Sequence, residues 1–237
     1  MRFWLLILFS LTLDASEIGE ISELSGNGEI NRGDSEVKLN AEIDSDIFSF
    51  DDVRTGNGRL AIQFLDDSVV KLTEHSKLVI DEFIYDPDPA KSKLALNMAS
   101  GTARFITGKL GLINKENISI KTPTASIGIR GTDFTATVDE LGRSLIILLP
   151  NADGTSSGEI TVTTAMGVEI LNEAFQATMV SAWEQEPTPK VTLGGMTLGM
   201  IDNMLIIQKP PEVVQAIEEQ ELGVSPTAEL DKDFFED

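Results

Sequence analysis

The stretch Thr122-Pro-Thr-Ala-Ser-Ile-Gly-Ile-Arg-Gly-Thr-Asp-Phe134 decides the fold class. Ala125, Ile127 and Ile129 alternate with Ser126, Gly128 and Arg130, the period of two that marks a half-buried strand. Beyond Gly131 the alternation resumes on Phe134, Ala136 and Val138. From Ile129 to Phe134 the spacing is odd, so the apolar set has changed parity. A strand keeps one face on the core across such a slip by absorbing one extra residue. Arg130-Gly131-Thr132 is therefore expected to be a β-bulge, with Gly131 supplying dihedrals that other residues avoid. Arg130 and Asp133 flank the kink and are the candidate binding residues. A guanidinium beside a glycine kink suits bidentate contact with a carboxylate. The structural role, an Arg130–Asp133 pair or a cap on carbonyls freed by the bulge, is the expected one.

Outward from this segment, short strand-like runs recur with turns between them. Leu60, Ile62 and Phe64 alternate, Asp66-Asp67 turns, and Val70 and Leu72 resume, which predicts a hairpin. Leu78 and Ile80, Leu94 to Met98, Ala103 and Phe105, and Ile118 and Ile120 continue the pattern. Ser144 to Leu149 is continuously apolar, as in a strand buried on both faces. Asn151–Gly158 is a polar loop, Glu159–Thr164 a return strand, and Asp86-Pro-Asp-Pro-Ala90 a rigid loop. No long 3.6-periodic segment interrupts the series. The fold class is all-β, a sandwich or roll of short, mainly antiparallel strands, with a short C-terminal helix and an acidic tail.

Five elements in order carry a family resemblance: Gly19–Gly26, Phe50-Asp-Asp-Val-Arg-Thr-Gly56, the hairpin Leu60–Leu72, the strand around Ser100-Gly101, and Thr-Pro-x-Ala running into Arg-Gly-Thr-x-Phe. Together, from about Gly19 to Ser181, they resemble the FecR domain family. The resemblance implies a role in relaying signals at the cell envelope, alongside sigma factors and TonB-linked receptors. The sequence departs from that pattern, because no cytoplasmic domain precedes its hydrophobic segment. The expectation is therefore a free-standing exported module.

Residues 1–15 read as a signal peptide: one Arg2, an apolar run to Leu13, then Asp14-Ala15-Ser16. The run is short for a bilayer span, so a periplasmic or secreted protein is expected, without stable membrane insertion after cleavage. The β-domain is assigned to 16–185, closed by the linker-like Glu184-Gln-Glu-Pro-Thr-Pro189. An apolar Gly- and Met-rich extension follows at 186–208, then an acidic tail at 209–237 whose helix starts near Pro211. Net charge is −21, a field that repels nucleic acid and anionic membranes and leaves basic protein surfaces as partners.

Candidate chemistry is sparse. There is no cysteine, and His75 stands alone in a turn, so thiol nucleophiles and zinc sites are not expected. Asp44, Asp46, Asp51 and Asp52 offer oxygen ligands for calcium, but without EF-hand spacing. No cofactor or metal is expected. A carbohydrate-binding or carbohydrate-active β-sandwich is the alternative, as is a structural component of a secreted assembly. Only Trp183 and Tyr85 beyond the leader are preferred stacking rings, and that scarcity argues against a sugar platform. The leading reading is a non-catalytic module, not an enzyme, that binds a protein or other ligand through a strand edge or the loops Asp86–Ala90 and Asn151–Gly158.

Overall fold

The computed structural model describes residues 16–33, 37–86, 91–109 and 118–195. The expected leader, residues 87–90 of the proline loop, residues 196–208 of the expected 186–208 extension, and the expected helix and acidic tail lie outside these residues. Among those described, the strands in chain order are β1 (Gly19–Asn31), β2 (Lys38–Asn40), β3 (Asp46–Ile47), β4 (Asp52–Phe64), β5 (Val69–Leu72), β6 (Lys77–Ile84), β7 (Lys93–Ile106), β8 (Ile118–Lys121), β9 (Ser126–Arg130), β10 (Asp133–Val138), β11 (Ser144–Leu148), β12 (Glu159–Thr163), β13 (Val168–Leu171), β14 (Gln176–Val180) and β15 (Val191–Thr192). The fold is all-β. The β7–β8 ladder is parallel, and the other ladders of the described residues are antiparallel.

The sheet forks at β7. On one side β7 pairs with β6 and then β5, and these lead through β4 to β1. On its other side, its first half pairs with β8 and its second half with β10. Two arms leave from there, β8–β9–β12–β13 and β10–β11–β14–β15. They curl together over one core. Ile120, Ile127, Ile129, Ile160 and Val162 from the first arm meet Phe134, Ala136, Ile146 and Leu148 from the second. The far ends are pinned where Thr124 Oγ1 meets Ser144 Oγ (2.7 Å) and Ala165 N–H donates to Trp183 O (3.0 Å).

A crease crosses the long strands where each changes parity. In β4 the inward residues shift from Val53 and Thr55 to Leu60, Ile62 and Phe64; in β7, from Leu94, Leu96 and Met98 to Ala103 and Phe105. Both spacings are odd, so each strand must kink to keep one face inside. The kinks line up because small residues meet there. Gly26 faces Gly58 in the ladder, and Gly28 faces Thr55. Thr55 Oγ1 donates to Thr73 O and accepts Ser76 N–H (2.9 Å). Ser76 Oγ accepts Thr102 N–H (3.0 Å), and Thr102 Oγ1 meets Thr137 Oγ1 (3.0 Å). These hydroxyls satisfy backbone groups that the interrupted ladders leave open.

The predicted hairpin holds, with Leu60 opposite Leu72 and Ile62 opposite Val70. Its turn is locked by Asp66, which accepts Ser68 N–H at 3.1 Å and Ser68 Oγ–H at 2.7 Å. The strand expected at Ser144–Leu149 forms, and it is buried on both faces from Ile146 onward, with Leu145 exposed. Ile146 and Leu148 face the main core, whereas Ile147 and Leu149 pack on the other side with Ala177, Phe175 and Leu193.

Glu184–Pro189 does not leave the sheet as a linker. Pro187 is buried, Thr188 N–H donates to Met179 O (2.9 Å), and Thr178 Oγ1 donates to Thr188 O (2.6 Å). Lys190 Nζ then donates to Ile170 O (2.8 Å). The segment is a strap between β13 and β14. Proline suits it because a strap anchored by neighbouring residues can spare its own N–H groups.

Candidate functional site

Gly131 has the left-handed backbone expected of it (φ 55°), and Ile129 and Phe134 both face the core. The element is nevertheless a change of partner and not a bulge. β9 pairs with β8 and β12, whereas β10 pairs with β7 and β11. Within four residues the chain passes from one arm to the other. A strand that is broken and restarted on new partners can shift its inward parity by one position just as a bulge does, so the spacing does not separate the two.

The groups exposed by this crossing are met by side chains from elsewhere. Thr107 Oγ1 donates to Thr132 O (2.6 Å) and accepts Thr132 N–H (3.2 Å). Ser157 Oγ accepts Asp133 N–H (3.0 Å) and donates to Leu149 O (2.6 Å). The loop Asn151–Gly158 is thus docked at its C-terminal end and free at its tip, where residues 151–155 are exposed.

Arg130 and Asp133 do not pair. The Asp133 carboxylate receives Arg104 in a two-pronged bond, Nε to Oδ1 at 2.9 Å and Nη2 to Oδ2 at 2.6 Å. Both side chains are mostly shielded, at 14% and 18% exposure. Arg104 lies on β7 opposite Thr135, on the diagonal from Asp133, a neighbour supplied by the ladder and 29 residues away in sequence. Arg130 stands exposed at the end of β9 opposite Glu159. With Gly128, Ile129, Glu159 and Thr161 it lines a shallow depression of about 100 Å³. Its guanidinium is presented to solvent, and the depression admits only a few atoms of a ligand.

The structural role assigned to Arg130 therefore falls to Arg104. Arg104→Ala should cost about 2–3 kcal/mol, because it strands a shielded carboxylate. Arg130→Ala should stay within about 0.5 kcal/mol, as for other exposed substitutions. Urea unfolding of both variants checks the contrast; equal losses would contradict it.

Of the four aspartates weighed for calcium, Asp51 and Asp52 are engaged by the protein itself. Asp52 accepts Arg54 at 3.0 and 2.7 Å and pairs with Lys77 at 3.2 Å. Burial pushes the Asp52 carboxyl up, but these bonds outweigh it and hold it below the usual range. Asp51 is fully buried. Its Oδ2 accepts Phe48 N–H (2.9 Å), and Arg32, stacked over the Phe48 ring, approaches Oδ1 at 3.4 Å. Among the described residues no group of three or more His, Asp or Glu is arranged to hold a metal. His75 lies exposed in its turn.

Burial pushes the Asp51 carboxyl up, against the pull of Phe48 N–H and Arg32. A carboxyl whose folded pKa exceeds its unfolded one favours folding more as pH falls through the folded value. Asp51→Asn removes that gain. On lowering pH from 7 towards the ordinary carboxylate range, the wild type should therefore gain on the variant in thermal stability. A constant gap between their melting curves would contradict the assignment.

Residues 51–150 match the model of the family described as FecR protein. That span holds the hairpin, half of the crease, and the crossing from β9 to β10, so this stretch is similar to the FecR family over four of the five elements that carried the resemblance, Gly19–Gly26 lying before it. Two crystal structures of a protein described as a "putative anti-sigma factor" from Parabacteroides distasonis are similar at 16% and 14% identity, with TM-scores of 0.45 and 0.44. Each match covers 60% of this chain and 59% of theirs. Comparison with curated proteins returns no match.

Proposed function

We propose that this chain is an exported FecR-type module that acts in envelope signalling by binding a protein, without catalysis. The FecR match over residues 51–150 carries this reading. It agrees with the internal pairing of the shielded charges Arg104–Asp133 and with the Arg54–Asp52 pair. The short apolar run at residues 3–13 supports export. The acidic surface favours a basic partner and speeds its approach, so salt should slow association.

Deleting the gene should change a discrete set of transcripts, and the protein should be recovered from the envelope or medium with its leader removed. An unchanged transcript profile would defeat the signalling role. Full-length protein confined to the cytosol would defeat export. Turnover of glycans, peptides or esters that vanishes on replacing one carboxylate would defeat the claim that it works by binding.

A further inference from the structure

The outer face of the second arm combines apolar surface with the point where the described chain stops. Since Ile146 and Leu148 of β11 point into the main core, Leu145, Ile147 and Leu149 point outward. The ladders place Met179 opposite Leu145, Ala177 opposite Ile147, and Val191 opposite Ala177. Ile147, Leu149 and Ala177 form a second cluster with Phe175 and Leu193. At its rim Leu145, Met179 and Val191 are still 39%, 41% and 57% exposed. Leu193 N–H donates to Phe175 O (3.0 Å), and Gly195 lies two residues further on.

The thirteen residues that follow, 196–208, read Met-Thr-Leu-Gly-Met-Ile-Asp-Asn-Met-Leu-Ile-Ile-Gln. Eight are large and apolar, and Asp202 is the single charge. We propose that residues 196–208 are the cover of this face, extending the cluster that Leu193 begins across Met179 and Leu145. Reach is not limiting. Thirteen residues span up to about 43 Å extended, and β11 lies only two strands, about 10 Å, from β15. A second copy is the poorer occupant, because two chains of net charge −21 repel one another. The proposal stands independently of the signalling role.

Hydrogen exchange of the full-length protein tests it, read by mass spectrometry on peptides from 196–208. In the wild type these amides should exchange about tenfold or more slowly than in an unfolded chain, at a rate independent of protein concentration. In Leu145→Lys/Met179→Lys, which alters only exposed side chains, that protection should vanish with the far-ultraviolet dichroism unchanged. Unprotected amides in the wild type, or protection that survives in the variant, would overturn the proposal. Protection that grows with protein concentration would assign the face to a second copy and overturn it equally. If the lysine pair unfolds the protein, Met200→Asp/Ile201→Asp leaves every described residue intact. It should release the segment and raise binding of the apolar dye ANS, and undiminished protection there would count against the proposal.

Discussion

Gly101→Val should be among the most damaging single changes in this chain, costing about 3–5 kcal/mol. Gly101 sits in β7 at the crease with φ of 86°, where a branched side chain is strongly disfavoured. A Cβ there would lie 2.3 Å from Ser76 Oγ and 2.5 Å from Ser76 Cα. Backbone cannot yield as a flexible side chain would. Ser76 is also held by Thr55 and Thr102, so relief would break the row of hydroxyls that joins the kinks. At 2–4 °C per kcal/mol, the melting temperature should fall by roughly 10 °C. Gly128→Ala is the control. Its Cβ would meet only Thr161, at 3.8 Å or more, so it should melt close to the wild type. Similar melting of the two variants would mean the crease is not tightly fixed.

Phe134→Ala should cost a comparable 3–5 kcal/mol, from lost burial and the cavity left behind. The ring is fully buried and stacks on Phe105, with centroids 4.9 Å apart and planes at 15°. It follows the crossing from β9 to β10, so its packing helps fix where the chain enters the second arm. Phe50 provides the contrast. It is 65% exposed and has a left-handed backbone, φ 71°. Phe50→Gly removes that strain with little buried area lost, and should be neutral or slightly stabilising. Guanidinium unfolding separates the two, and a Phe134→Ala variant as stable as Phe50→Gly would refute the ranking.

Several features were legible in the sequence because they are local. Period-two alternation marks strands wherever it occurs, so the all-β class and the hairpin Leu60–Leu72 could be read directly, and the continuous apolar run marked β11. The odd spacing between Ile129 and Phe134 marked a real break, and Gly131 a real left-handed residue. What the break does was not legible. An inserted bulge and a change of sheet partner can produce the same parity slip, and only the ladders with β12 and β7 tell them apart.

The partner of Asp133 was hidden for the same reason. Sequence proximity nominated Arg130, three residues away, while the fold brings Arg104 across a strand ladder. Likewise, prolines at 187 and 189 read as a linker, because composition reports a missing N–H and says nothing of what surrounds it. The sequence by itself determined which residues turn inward along each strand. Which strands lie side by side, and hence which charges meet and which segments are straps, was decided by tertiary structure, since that pairing is set by burying all the inward faces at once.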